Sequence, residues 1–344
     1  MTETDKTPLL GLSLTQLREI AADMGLPSFV GTQMADWIYV KRVASIEDMT
    51  NLSKKARERL AGKYCIGLLP PKESMTSSDG TVKYLFAGAG GRDVEAVYIP
   101  DADRATLCVS SQAGCKMGCA FCMTGRQGYH GNLSTRDIIN QIMMVRDSQK
   151  LTNIVFMGMG EPLDNLEAVL AAVDILTAKW GFAWSPKRIT VSTIGKLDAL
   201  RRLIEQTKVH VAISVHSPVP DQRERLMPVQ RAWDIRKVMD MLREYDFAHQ
   251  RRLSVEYIMW KDVNDTIAYA DKLARLIKGT AARVNLIRFH AIPDCDLRPC
   301  AQETMEAFRD RLNSLGVTAT IRASRGEDIM AACGMLAGKN NKDT

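Results

Sequence analysis

Apolar and polar residues follow two alternating periods over most of the chain. Short apolar runs typical of strands lie at 105–110, 153–158, 188–193, 209–215, 253–259 and 283–289. Between them, amphipathic helical spacing occurs near 134–147, 165–178, 195–206, 234–247 and 265–278. Six strand–helix repeats predict parallel strands joined by right-handed crossovers. Since no Gly-x-Gly-x-x-Gly pattern follows the first strand, we predict an α/β fold with a partial (β/α)6 barrel rather than a dinucleotide-binding fold.

The segments that flank these repeats have different patterns. Residues 9–64 have helical spacing and include a helix that starts at Asn51-Leu-Ser, with a basic face of Lys54, Lys55, Arg57 and Arg59 that we interpret as solvated rather than as a contact to phosphates. Two strand-like runs around a glycine-rich turn predict a β-hairpin over 79–99. A strand, 317–323, and a short helix, 327–337, complete the pattern. The chain thus divides into a small helical N-terminal domain (1–78), a β-hairpin extension (79–100), a core barrel (101–323) and a C-terminal segment (324–344), whose polar tail we expect to be frayed.

Glu95 lies on the second strand of the predicted hairpin. Strand alternation places Glu95 and Val97 on one face, opposite Val94 and Ala96. A carboxylate with these neighbours either faces solvent or is a partly buried acid or base. The pattern alone favours the solvent-facing position.

Composition describes an ordinary globular protein. Of the 344 residues, 46% are apolar and 25% are charged, and no apolar run is long enough for a transmembrane span. The N-terminus, Met-Thr-Glu-Thr-Asp-Lys, lacks the apolar core of a signal peptide. Eight cysteines, three of them clustered, favour a reducing cytosol, and so a cytoplasmic protein, over a disulfide scaffold. A net charge of +6 is a mild indication of a polyanionic partner.

The clustered cysteines form the segment Cys115-Lys-Met-Gly-Cys119-Ala-Phe-Cys122, which follows the first strand of the repeats. Cysteine thiolates in such runs hold iron–sulfur clusters. Three ligands leave one iron of a four-iron cluster free to bind a substrate or cofactor. The spacing resembles that of radical S-adenosylmethionine (SAM) enzymes, in which the methionine part of SAM chelates that iron. The alternative is a zinc site with a distant fourth ligand, such as Cys108 or His130.

Further polar residues and glycines lie where the other strands end. Because the carboxyl ends of parallel strands meet at one side of the fold, they predict one shared site. Glu161 can accept a hydrogen bond from an ammonium group, while Ser192, Ser214 and His216 can bond a carboxylate or ribose hydroxyls. The segments are Gly158-Met-Gly160-Glu161-Pro, Ser192-Thr-Ile-Gly, Ser214-Val-His216-Ser and His290.

The same motifs, with Cys108-Val-Ser-Ser-Gln-Ala-Gly-Cys115 and Asp328-Ile-Met-Ala-Ala-Cys333-Gly, resemble the RlmN/Cfr family. These are radical SAM methyltransferases that modify carbon atoms of adenine in RNA. The resemblance implies a [4Fe-4S] cluster on Cys115, Cys119 and Cys122, an RNA-binding role for the N-terminal domain, and SAM as the second cofactor. The residues that it assigns to SAM are Gly160, Glu161, Ser192, Ser214, Val215, His216 and His290. His290 replaces an asparagine found at this position in many members of the family.

The resemblance also implies roles for residues outside the cluster. One SAM methylates Cys333, and a second SAM supplies the radical that activates the resulting S-methylcysteine for addition to adenine. Cys108 then resolves the protein–RNA adduct by forming a disulfide with Cys333, and Glu95 accepts a proton. Without the resemblance, Cys108 and Cys333 are more typical of small buried side chains.

The expected partners are 23S rRNA, tRNA and an electron donor such as flavodoxin or ferredoxin, with no membrane. The leading interpretation is methylation of adenine C2. One alternative is a Cfr-type enzyme that methylates C8, and a more distant one is a non-catalytic metal-cluster module that binds RNA. Because the base must reach Cys333 inside a barrel, we expect it to leave its stack.

Overall fold

A computed structural model describes residues 6–249 and 251–338. The predicted polar tail, residues 338–344, lies outside this part of the chain except for Gly338. Within it, the α-helices are α1 Leu14–Asp23, α2 Phe29–Ala35, α3 Lys54–Lys63, α4 Met123–Arg126, α5 Thr135–Met144, α6 Leu166–Thr177, α7 Leu197–Gln206, α8 Pro220–Leu226, α9 Ile235–Leu242, α10 Ile267–Ile277 and α11 Gln302–Ser314. The strands are β1 Thr7–Pro8, β2 Tyr64–Cys65, β3 Glu73–Thr76, β4 Val82–Phe86, β5 Val94–Asp101, β6 Arg104–Cys108, β7 Gln112–Gly114, β8 Tyr129–Asn132, β9 Asn153–Phe156, β10 Ile189–Thr193, β11 His210–Ser214, β12 Leu253–Met259, β13 Arg283–Arg288 and β14 Ala319–Ile321.

The parallel strands form the centre of the molecule. Strands β6, β9, β10, β11, β12, β13 and β14 pair in parallel in the order of the chain. Chain order in a parallel sheet is that of a (β/α) barrel, but β14 ends one edge of this sheet and the barrel stays open. This is the predicted radical SAM fold, with all six predicted repeats and the predicted final strand.

The predicted hairpin is part of the same sheet. Strands β4 and β5 pair antiparallel, and β5 also pairs antiparallel with β6. Strand β3, which the sequence pattern did not reveal, pairs with β4 and extends the sheet to ten strands. The hairpin thus lies beside the first barrel strand, with Val97 opposite Cys108.

The N-terminal region is helical, as predicted. Helix α1 begins with a capping box: the Ser13 hydroxyl oxygen accepts a hydrogen bond from the Gln16 backbone N–H, and the Gln16 side-chain oxygen accepts one from the Ser13 backbone N–H. The second predicted helix consists of α2 and a π-helical turn, Asp36–Val40. Tyr39, at its buried face, packs edge-on against Trp180 of the core, with ring centroids 5.7 Å apart. This contact fixes the helical region against the barrel.

Alternation along the barrel strands separates a dry layer from a polar interior. Ile189 and Val191 of β10 are fully buried, whereas Thr190 and Ser192, which alternate with them along the strand, remain partly exposed. Ser214 has the same partly exposed position at the end of β11. The barrel interior can therefore hold polar side chains without loss of the apolar core.

The helix predicted at the C-terminal end is wrong, and one long helix of the barrel was missed. Residues 327–337 do not form a helix: a short 3₁₀ turn, Glu327–Ile329, is followed by Met330 in the left-handed conformation. The side chain of Asp328 bonds the Ser77 hydroxyl and the Ser78 N–H instead of supporting a helix. Helix α11, between β13 and β14, lacked a prediction. No helix of the described residues is long and apolar enough to cross a membrane.

Candidate active site

A cavity opens at the carboxyl ends of the barrel strands, where the sequence placed a shared site. The predicted residues on its wall are Cys115, Cys119, Cys122, Gly160, Glu161, Ser192, Ser214, His216 and Cys333. Four other predicted residues, Glu95, Cys108, Val215 and His290, are not on this wall. The structure therefore brings together predicted residues from five separate segments of the chain.

The cysteine loop connects two short antiparallel strands, β7 and β8. At the start of the loop Gly114 has a φ of +73°, and a Cβ there would lie 1.9 Å from the carbonyl oxygen of Gly128. Only glycine allows this close turn. The loop returns towards helix α8 where Ala120 N–H donates to the Leu226 carbonyl at 3.0 Å. The loop is held on both sides, and its three cysteines face one cavity.

The three thiols are in an environment suited to a soft metal. Burial raises the pKa of Cys115 to about 12 and raises the pKa of Cys119 and Cys122, and neighbouring thiols add to each shift: Cys122 for Cys115 and Cys119, and Cys333 for Cys122. Such thiols stay protonated until a metal replaces their protons. In the described residues no three Cys, His, Asp or Glu side chains are arranged to hold a single metal ion. A donor set of three thiols on a shared cavity fits a cluster that takes one thiolate on each of three irons.

The loop after β9 places Glu161 at the cavity wall. Gly160 has a φ of +94°, and a Cβ there would lie 2.4 Å from the Cβ of Gln112, so only glycine fits. Glu161 Oε1 accepts from the Thr193 hydroxyl at 2.6 Å, and Oε2 accepts from Ile194 N–H at 3.1 Å. Burial raises the pKa of Glu161 to about 7, although these hydrogen bonds oppose the shift. A ligand ammonium group would favour the ionised carboxylate.

His216 is a neutral hydrogen-bond donor to the cavity. Its Nδ1 accepts from Ile258 N–H at 3.1 Å, which assigns the ring proton to Nε2. Burial and the charge of Arg223 lower the pKa of His216 to about 3. The ring also packs edge-on against Phe121 of the cysteine loop at 4.9 Å. A ring fixed in this way can donate from Nε2 to a ligand at any physiological pH.

The segment that carries Cys333 crosses the cavity beside the cysteine loop. Met123 N–H donates to the Gly334 carbonyl at 2.8 Å, and the Thr124 hydroxyl donates to the Leu336 carbonyl at 2.6 Å. Since Met123 directly follows Cys122, these bonds fix Cys333 next to the last cysteine of the triad. Cys122 and Cys333 are far apart in the sequence, so the sequence alone did not show that they lie close together.

Glu95 holds the same segment from the other side. The carboxylate is buried, its Oε1 is paired with Lys83 at 3.1 Å, and Oε2 accepts from Ala337 N–H at 2.8 Å. The solvent-facing position favoured by strand alternation is therefore wrong. The alternation is correct, but the C-terminal segment covers the face on which Glu95 lies.

Cys108 is buried and does not lie on the cavity wall. Burial and the neighbouring Cys333 raise the pKa of Cys108 to about 12, while Arg322 opposes the shift. Cys333, with Glu256 and Cys108, in turn raises the pKa of Arg322. The two cysteines implied to form a disulfide are thus close neighbours with a guanidinium group beside them.

Two cavity residues were missed in the sequence. Arg322 lies just after β14, and Glu256 lies on β12, the strand that had no candidate residue. Glu256 Oε1 accepts from Ser254 and Asn285, whereas its buried Oε2 has no hydrogen-bond partner among the described residues. Burial raises the pKa of Glu256. The rule that strand ends carry the site would have found Arg322 if it had been extended to the seventh strand.

Two predicted contacts lie away from the cavity. His290 Nε2 is 2.9 Å from the Ser324 hydroxyl, and Nδ1 is 3.1 Å from the carboxylate of Glu327. Val215 is fully buried, and its carbonyl accepts from the side chain of Arg223 at 3.1 Å. A contact of SAM with either residue stays a prediction.

Known protein families match both the N-terminal helical region and the barrel of this chain. Residues 109–274 match the radical SAM superfamily, and residues 7–66 match the ribosomal RNA large subunit methyltransferase N-terminal domain. The chain is 56% identical to a probable dual-specificity RNA methyltransferase RlmN of Bacteroides fragilis, over 98% of each chain. It is 41% identical to the dual-specificity RNA methyltransferase RlmN of Pelobacter propionicus, over 98% of this chain and 97% of that relative.

A solved structure agrees with the fold. The crystal structure of a radical SAM methyltransferase from Sphaerobacter thermophilus superposes with a TM-score of 0.89 at 37% identity. The match covers 96% of this chain and 99% of that chain. The similarity therefore includes the N-terminal helices, the hairpin and the barrel together.

Proposed function

Because the chain belongs to the RlmN family of radical SAM RNA methyltransferases, we propose that it methylates C2 of a specific adenosine in 23S rRNA. We propose the adenosine next to the anticodon of tRNA as a second substrate, since the relatives are named dual-specificity enzymes. One observation carries the proposal: Cys333 is fixed beside the cysteine triad by the hydrogen bond from Met123 N–H to the Gly334 carbonyl. A cysteine at this position can carry a one-carbon group to a base in the cavity.

The cavity residues divide between cluster and SAM. Cys115, Cys119 and Cys122 would hold a [4Fe-4S] cluster, and Glu161, Ser192, Ser214 and His216 would bind SAM. Glu161 would accept from the ammonium group, and His216 would donate from Nε2 to a ribose or carboxylate oxygen. Gly160 keeps the backbone open to a close approach by the ligand. When bound, the cluster and SAM supply a 5′-deoxyadenosyl radical, with an electron from a donor such as flavodoxin or ferredoxin.

The remaining steps belong to residues of the chain. Cys333 takes a methyl group from SAM as a substrate and later bonds to the adenine carbon through that group. Cys108, its close neighbour, releases the RNA product by forming a disulfide with Cys333. Glu95 accepts the proton lost from the ring while its Oε2 keeps the Cys333 segment in place. The base must leave its stack to reach this cavity.

Nucleoside mass spectrometry tests this function directly. RNA is compared between cells with the gene, cells without it, and cells that carry a Cys333→Ala variant. We expect 2-methyladenosine in 23S rRNA and tRNA only in the first. Appearance of 8-methyladenosine instead would identify a Cfr-type enzyme. Unchanged RNA in all three strains would favour a non-catalytic RNA-binding module.

A further inference from the structure

A second cavity opens at the amino ends of the barrel strands, at the opposite end from the active site. We call it the basic basin. Its volume is about 1510 Å³, and its wall includes Thr106, Thr190, His210 and Arg283, which lie in the first halves of their strands. The basin extends into the barrel as far as Arg322, which also borders the active-site cavity. The basin is therefore concave and half-open to solvent.

The wall of the basic basin carries a strong excess of positive charge. Nine arginine or lysine side chains border it, and Asp271 is the only carboxylate on the described wall. Asp271 is already paired with Arg311 at 2.7 Å. The exposed cations at the rim are Arg104, Lys187, Arg252, Arg275, Lys278 and Arg283.

The field of these charges acts on a neighbouring histidine. His210 is half-buried on the basin wall, and its pKa is lowered by burial and then by Arg252, Lys187 and Arg251. The surrounding positive charges disfavour the protonated, positively charged form of His210. The same charges would favour a bound anion. Such concave surfaces lined by one sign of charge concentrate counter-ions.

One buried side chain gives independent evidence of a ligand. Arg251 is only 7% exposed and borders the basin. Its Nη2 donates to the Thr207 carbonyl at 2.6 Å, whereas its buried Nη1 has no acceptor among the described residues. A buried guanidinium donor without a partner is costly, and a shift of the Arg251 side chain that turns Nη1 to the basin would let an anion supply the missing acceptor.

We propose that the basic basin binds a compact anion with several phosphate groups, such as an inorganic or nucleoside polyphosphate. The shape of the site favours this class over folded RNA. The basin reaches Arg322, which also borders the active-site cavity, and the interior of a barrel of this size has room for side chains or one small ligand and not for a nucleic-acid duplex. The proposal does not depend on the base or carbon that the active site methylates.

The test is calorimetric titration of the full-length protein with inorganic tripolyphosphate, and separately with ATP and with orthophosphate. We expect saturable one-to-one binding of tripolyphosphate and ATP that weakens as salt rises, and weaker binding of orthophosphate. The double variant Arg252→Glu with Lys278→Glu should bind tripolyphosphate at least tenfold more weakly than the unmodified protein. Both residues are exposed, so the fold should be retained.

A matched double variant controls for net charge. Lys179→Glu with Lys237→Glu reverses two exposed lysines outside the basin, and we expect binding within twofold of the unmodified protein. Arg251→Lys keeps the positive charge but removes the forked guanidinium group, and it should lower the affinity for tripolyphosphate severalfold. Absence of saturable binding, or equal loss in both double variants, would overturn the proposal. Loss of tRNA binding alone in the basin variant would show an RNA surface and would also overturn it.

Discussion

The carboxylate of Glu95 accepts a hydrogen bond from the backbone N–H of Ala337, 242 residues further along the chain, at 2.8 Å. The same oxygen accepts from Gly338 N–H at 3.2 Å. Through this contact the hairpin fixes the segment that carries Cys333. Glu95 thus has a positioning role in addition to the proton-acceptor role that we propose for it.

Two substitutions of Glu95 separate those roles. Glu95→Gln keeps an oxygen that can accept from Ala337 but loses the basic carboxylate, whereas Glu95→Ala loses both. We expect peptide mass spectrometry to find methylated Cys333 in the Gln variant and not in the Ala variant. RNA methylation should fall at least a hundredfold in both. Full RNA methylation by the Gln variant would exclude Glu95 as the proton acceptor, and Glu303→Gln, at an exposed position, is the control.

Removal of Cys108 should trap the reaction before product release. Because Cys108 is the close thiol neighbour of Cys333, Cys108→Ala leaves the protein–RNA bond without its resolving group. We expect a covalent adduct that migrates slowly on a denaturing gel and disappears after nuclease treatment. The double variant Cys108→Ala with Cys333→Ala should form no adduct. An adduct that survives in the double variant would place the RNA bond on another residue.

The reactivity of Cys108 should depend steeply on pH. Its pKa of about 12 leaves Cys108 a protonated thiol near neutral pH. As long as the pH stays below the pKa, each increase of one pH unit raises the fraction of reactive thiolate tenfold. We expect iodoacetamide labelling of Cys108 in the metal-free protein to rise about tenfold per unit from pH 7 to 10, without a plateau. Peptide mass spectrometry measures the rate. A plateau near pH 8 would show that Arg322 activates Cys108 more strongly than burial suppresses it.

Glu256 should contribute to ligand binding through its unpaired oxygen. Glu256→Gln keeps the Oε1 oxygen that accepts from Ser254 and Asn285. It replaces the unpartnered Oε2 with an NH₂ group, which can donate a hydrogen bond but not accept one. Loss of one hydrogen bond to a charged group costs about 1.5–3 kcal/mol, so we expect kcat/KM to fall roughly 10- to 100-fold. Ser254→Ala removes only a partner of Oε1, and its kcat/KM should stay within about threefold of that of the unmodified protein. Equal effects of the two substitutions would indicate a structural role for Glu256.

Gly160→Ala should destabilise the protein much more than a glycine substitution in open space. Both Gly160 and Gly91 have positive φ, but a Cβ at Gly160 would overlap Gln112, while a Cβ at Gly91 meets nothing within 4 Å. Gly91→Ala should cost about 1–2 kcal/mol of unfolding free energy from backbone strain. The overlap should add about 1–3 kcal/mol at Gly160. Denaturant unfolding of the two variants measures the difference, and equal losses would contradict the close contact.

Local patterns in the sequence were sufficient for much of the fold. The period of apolar residues predicted the six repeats, because alternation within a strand depends only on neighbouring residues. The spacing of Cys115, Cys119 and Cys122 predicted a shared metal site, because these residues lie in one short loop. The sequence pattern missed strand β3 and helix α11. Its two wrong predictions, the helix at 327–337 and the exposed position of Glu95, failed because both segments bond to distant parts of the chain.

The sequence by itself determined the strand–helix repeats of the barrel, the triad of thiols and the glycine turn before Glu161. Each depends on backbone geometry over a few residues. Only the tertiary structure decided that Cys333 lies beside Cys122, that Glu95 is buried, and that Arg322 borders two cavities. These contacts join segments far apart in the chain. They arise when sheet pairing and the C-terminal segment close over the barrel, and no local period encodes that closure.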